Sequence, residues 1–160
     1  MLWYLNEQMF SNQAVFTMPD IYHSFPIHSS PSKVFEYISS SKGLDKWWTK
    51  SCIASPEKGG EYLLDFGPDY QWKALVIKYL KDQNFELRFT EADADWIGTI
   101  LGFSLMPVNG STDVQFYHTG WPKANDHFKI SSFYWAMYLR ILKKCIEEGI
   151  QVPYEKRLDA

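Results

Sequence analysis

The chain has 160 residues, 46% of them apolar and 22% charged, with a net charge of −3; that suits one soluble globular domain. No block of Lys or Arg supplies a basic footprint for nucleic acid, and no apolar run nears the ~20 residues needed to cross a bilayer. Cys52 and Cys145 stand far apart without CxxC or Cys/His spacing, which predicts two reduced thiols in a cytoplasmic protein.

The aromatic share is high. Seven Trp, ten Tyr and eleven Phe make up 18% of the chain. Large rings either fill a thick core or line a concave site. The opening "MLWYLNEQMF" lacks the basic region and small-residue cleavage site of a secretory leader. Leu2, Leu5 and Met9 fall instead at helical spacing, so residues 1–17 read as a short helical extension, with Met18 as the alternative first residue.

From Met18-Pro19 the pattern changes. Ile21, His23, Phe25 and Ile27 alternate with Tyr22, Ser24, Pro26 and His28, a strand whose proline predicts a sheet edge. Ser30 then caps a helix that begins at Pro31 and buries Val34, Phe35 and Ile38. Gly43 is expected to break it, leaving "LDKWW" as a second short helical turn. The middle of the chain reads as strands. Trp72, Ala74 and Val76 share one face of "YQWKALVIKYL", and Phe85, Leu87 and Phe89 share one face of "NFELRFTEA". Asn109-Gly110 marks a tight hairpin, after which Val114, Phe116 and His118 point to the covered face and Tyr117 away from it. Gly98 and Gly102 could mark a bulge that shifts the faces around Phe103. Beyond Pro122, a helical stripe of Ile130, Phe133, Tyr134, Met137, Tyr138, Ile141 and Cys145 runs toward a stop at Gly149.

The order and spacing of four stretches carry a resemblance: "IHSSPSKVFEYIS", "KGLDKWW" with "KGGEYLLDFG", "STDVQFYHTGW" and "WAMYLRILKKCIEEG". Together they resemble the START-like (SRPBCC) superfamily, and within it stand-alone bacterial homologues of the C-terminal domain of the heat-shock protein 90 ATPase activator. The resemblance implies an α+β helix-grip fold over residues 18–150, followed by a tail at 151–160. In that fold a curved antiparallel sheet of about six to seven strands wraps around a long C-terminal helix, with two short helices after strand 1. The glycine and Pro-Pro pair usual near "WKALVIKYLKDQ" are absent, so the turn at Lys81–Asn84 is expected to differ.

A helix lying in a curved sheet leaves gaps, and gaps lined by aromatic rings bind small molecules. The expected lining is Trp48, Phe66, Trp72, Phe89, Phe103, Trp135 and Tyr138, with His118 as a polar tip. His118 has no partner in its own segment that would make a nucleophile–base pair, so no catalytic residue is assigned. The other histidines lack metal-ligand spacing, and "EADADW" lacks the glycine and glutamate of a calcium loop. No motif calls for a metal or cofactor, and "EADADW" and Glu147-Glu148 read as exposed charge.

Three functions stay open. The first is binding of a small hydrophobic or aromatic molecule. The second is a chaperone ATPase-activator-like interaction module with a chaperone partner. The third is a cyclase- or hydrolase-like enzyme using the same cavity. A homodimer is compatible with each.

Overall fold

A computed structural model describes residues 17–159; the expected N-terminal helix lies outside them, save its last residue. After β1 (Ile21–Ile27) come two short helices, α1 (Pro31–Ser39) and α2 (Ser41–Trp47). Six more strands follow, β2 (Ser51–Ala54), β3 (Glu61–Asp65), β4 (Gln71–Leu80), β5 (Asn84–Glu91), β6 (Ile100–Val108) and β7 (Ser111–Thr119), and then the long helix α3 (Asp126–Glu148). All seven strands form one antiparallel sheet in the order β1-β7-β6-β5-β4-β3-β2. This is the expected helix-grip architecture. No helix among the described residues is long and apolar enough to cross a membrane.

Local chemistry explains most boundaries. β1 is an edge strand, which tolerates Pro26 because the missing N–H faces no neighbour. The Ser30 hydroxyl accepts from the Lys33 amide at 3.3 Å, and Pro31 occupies the first turn of α1. β6 and β7 are joined by Asn109 and Gly110 alone, at φ 47° and 79°, the paired positive values of a type I′ turn. At the β4–β5 turn Asp82 takes φ 63°, a left-handed conformation that an aspartate tolerates.

Four expectations are corrected. Gly43 does not break a helix. It lies inside α2, and the break is Ser40, which closes α1 and caps α2 by accepting from the Gly43 amide at 2.9 Å. What requires glycine is the approach of the two helices, since a Cβ at Gly43 would stand 2.4 Å from the Glu36 carbonyl oxygen and 2.5 Å from Tyr37 Cα. Gly43→Ala is therefore expected to cost at least about 1–3 kcal/mol, because backbone cannot rotate out of the way; an unchanged urea midpoint would refute this.

Second, no bulge arises at Gly102. β6 keeps an unbroken register with β5 and β7, and the irregularities fall between β4 and β5, at Lys73/Ala74 and Val76/Lys78. Gly102 instead makes room for Tyr117, whose ring would lie 2.0 Å from an added Cβ.

Third, the buried stripe of α3 is rotated from the one expected. It comprises Ser131, Trp135, Leu139, Ile141, Leu142, Cys145 and Ile146, while Ile130, Phe133 and Tyr134 are 50%, 65% and 39% exposed. The helix carries apolar residues around more than half its circumference, so periodicity alone leaves its rotation open. The sheet selects the line through Trp135. Nor is Glu147 simply exposed: its carboxylate accepts from the His28 amide at 2.7 Å and from Lys143 Nζ at 2.6 Å, tying the end of α3 to the end of β1.

Candidate functional site

Five aromatic rings from α2, α3, β4 and two connecting loops pack in one closed circuit. Trp48 caps the C-terminus of α2, Phe66 follows β3, Trp72 opens β4, Trp96 sits in the β5–β6 loop and Trp135 is on α3. Going round, the centroid separations are 5.2 Å from Trp48 to Phe66, 4.9 Å to Trp72, 4.7 Å to Trp96, 5.8 Å to Trp135 and 5.2 Å back to Trp48. They border a pocket of about 440 Å³. Ile130, Ser131, Tyr134 and Tyr138 extend the α3 wall, and Tyr70, Tyr154 and Leu158 form the opposite rim.

The pocket's ionisable side chains, Asp93 and His127, are partly exposed at its edge. His127 Nδ1 lies 3.2 Å from an Asp95 carboxylate oxygen that also accepts from Asn125 Nδ2 at 2.9 Å. The Asn125 bond, with help from His127 and Lys123, holds the Asp95 carboxyl below the usual aspartate range. The stretch expected as a solvated turn thus clamps the start of α3, whose cap is the same Asn125.

Of the side chains named from the sequence, Trp48, Phe66, Trp72, Trp135 and Tyr138 line this pocket. Phe89 packs behind Trp72 and Trp96, and Phe103 lies deeper, against Trp47 and Phe116. Both are 1% exposed. His118 is fully buried behind Trp96 and Trp135. Sequence reading passed over Trp96 because it ends an acidic turn, and over Tyr154 and Leu158 because they lie in the tail. The Gly98 turn that returns the chain to β6 (φ 83°) was the available signal for Trp96.

The bonds around His118 define its protonation. The Trp135 indole N–H, which can only donate, points at His118 Nδ1 from 3.1 Å. Nδ1 is therefore unprotonated and the proton is on Nε2, 2.8 Å from the Thr99 hydroxyl. Thr99 in turn donates to the Trp96 carbonyl at 2.6 Å. Burial, reinforced by the His127 charge, pushes the imidazole down to about 3. Both ring nitrogens are engaged, so His118 holds two pocket walls in place and has no free lone pair to offer a ligand.

A family model described as "Activator of Hsp90 ATPase homolog 1-like protein" matches residues 28–147. No curated protein matches the chain. Among solved structures, an Aha1 dimer from Colwellia psychrerythraea is similar at 27% identity and a TM-score of 0.75, over 82% of this chain and 98% of that one. Protein SSP2350 from Staphylococcus saprophyticus matches at 15% identity and a TM-score of 0.70, over 84% and 96%. CalU16 from Micromonospora echinospora matches at 11% and 0.65, over 88% and 83%. The last two speak to the fold alone.

Proposed function

The chain belongs to the Activator of Hsp90 ATPase homolog 1-like family and has its START-like fold; from that premise we propose that it binds a small hydrophobic or aromatic molecule between the sheet and α3 and performs no chemistry on it. The packed aromatic cluster of Trp48, Phe66, Trp72, Trp96 and Trp135, which borders a space of about 440 Å³, carries this reading. That volume falls within the ~300–1,000 Å³ usual for small-molecule sites. The lining is mostly apolar, with tyrosine and serine hydroxyls, an imidazole and one carboxylate that can orient a flat molecule.

Native mass spectrometry of freshly purified protein, followed by extraction and identification of what is released, tests it. One small aromatic molecule per chain is expected. Trp72→Ala should weaken its binding by about tenfold or more, since a ring–ring contact contributes about 0.5–1.5 kcal/mol beyond the area it buries. A ligand-free mass, together with no uptake of a fluorescent aromatic dye, would overturn the proposal.

A homodimer is a second reading, favoured by the dimeric Colwellia structure. Sedimentation equilibrium decides it. A cytoplasmic location belongs to the same set of proposals and is consistent with Cys52 and Cys145 being buried and free.

A further inference from the structure

We infer that the molecule taken up by this pocket is an organic cation, a small hydrophobic or aromatic ammonium ion whose charge lies against the rings and toward Asp93. This names the ligand class for the site proposed above and rests on that reading.

The lining chemistry is one-sided. Nine of the fourteen side chains that border the pocket are Trp, Tyr or Phe, and none is Lys or Arg. The face of an aromatic ring carries the negative part of its quadrupole, and indole attracts a cation most strongly. Four of the nine are indoles, Trp48, Trp72, Trp96 and Trp135, with neighbouring centroids 4.7 to 5.8 Å apart.

Asp93 adds a full negative charge. Its side chain is 43% exposed, and its sole ion pair among the described residues is with His127 Nε2, at a loose 4.0 Å. The neighbouring Asp95, by contrast, is taken up by Asn125 and His127, at 2.9 and 3.2 Å. Asp93 is therefore the carboxylate left with accepting capacity at the pocket's edge. One turn holds it together with Trp96, because the Asp93 carbonyl accepts from the Trp96 and Ile97 amides at 2.8 and 3.3 Å. The Asp95–Asn125 bond ties that turn to the start of α3. Ring and carboxylate are thus fixed relative to each other before a ligand arrives, which reduces the ordering cost of binding.

The other charge classes fit poorly. An anion would face the ring quadrupoles and Asp93 with no Lys or Arg in the lining to pair with it. Arg157, whose guanidinium lies 5.4 Å from the Tyr154 ring, is no substitute. It is buried and committed to three backbone carbonyls. An uncharged hydrocarbon would fill the space but strip water from Asp93 without offering it a partner, and an unpaired desolvated charge is costly. A cation satisfies the rings and the carboxylate together.

Displacement of an uncharged fluorescent aromatic dye from the full chain tests the class. The competing probes are phenyltrimethylammonium and tert-butylbenzene, which share one shape and differ in charge. The cation is expected to bind about fivefold or more tightly than its uncharged isostere, through a cation–π contact and a partly exposed ion pair acting together. Asp93→Asn should weaken the cation about threefold and leave tert-butylbenzene within about twofold, which also shows the variant's pocket to be intact. Equal or tighter binding of tert-butylbenzene, or a cation affinity unmoved in Asp93→Asn, would overturn the inference and leave the pocket reading standing. So would a bound dye that neither probe displaces. A chain that takes up no dye refutes the pocket reading itself, and this inference with it.

Discussion

Lowering the pH from 7 toward 4 is expected to remove on the order of 3–4 kcal/mol of folding stability through His118 alone, and His118→Gln is expected to abolish that share. The unfolded imidazole titrates near 6.5, whereas burial, with the His127 charge adding to it, lowers the folded one to about 3. Between those values the unfolded chain binds a proton that the folded chain refuses. Stability from this group is thus complete above about 6.5 and drains away as the pH falls, by about 1.4 kcal/mol per unit, levelling off near the folded value. Glutamine at this position can accept from the Trp135 indole and donate to Thr99, so it preserves the bond pattern without a titrating group. His118→Ala leaves the Trp135 N–H without its acceptor and opens a cavity in the core, at a cost of about 4 kcal/mol at neutral pH. Urea midpoints of the wild type and His118→Gln, measured from pH 7.5 to 4.5, decide the matter. The wild-type midpoint should fall more steeply than that of His118→Gln as the pH falls, and parallel curves would show that His118 does not carry the acid sensitivity.

The same histidine shows how far the sequence could be read. Alternation through Val114, Phe116 and His118 placed its side chain on the covered face, and the structure puts it there, fully buried. Strand periodicity, the Ser30-Pro31 start, the Asn109-Gly110 turn and the Gly149 stop are all signals confined to a few neighbouring residues, and each of these appears in the fold. The elements that went astray are those decided by distant partners. The rotation of α3 depends on which of its many apolar residues the sheet accepts. The true role of Gly43 depends on how closely α1 approaches α2. For the pocket, parity identified side chains that point inward but could not tell lining from the layer beneath. Trp48 and Trp72 line the pocket, while Phe89 and Phe103, on the same covered face, are sealed behind other rings. Trp96 and the tail were invisible because neither has a periodic pattern.

The tail matters more than its composition suggests, and Arg157→Met is expected to detach it. Arg157 is 5% exposed, and its guanidinium donates to three backbone carbonyls, Val152 at 3.1 Å, Thr49 at 2.9 Å and Asp45 at 2.6 Å. A rigid planar fork can reach all three at once, and a lysine ammonium cannot. Beside it the Tyr154 hydroxyl donates to the Phe66 carbonyl at 2.8 Å, so the strap grips both the end of α2 and the start of the pocket wall. Methionine keeps much of the aliphatic stem but leaves all three carbonyls without a donor. With hydrogen bonds to a charged group contributing about 1.5–3 kcal/mol each before relaxation and water repair, a net loss of about 2–4 kcal/mol follows. Tyr154→Phe forfeits one neutral bond and should cost about 1 kcal/mol. Because Tyr154 and Leu158 border the pocket, release of the strap should also weaken binding of an aromatic dye while the sheet and α3 remain folded. Limited proteolysis should cut Arg157→Met beyond Gly149 at concentrations that spare the wild type, and dye titration should show the parallel fall in affinity. Wild-type resistance and affinity in that variant would mean that the strap is held by its packing alone, and the guanidinium would lose its place as the latch.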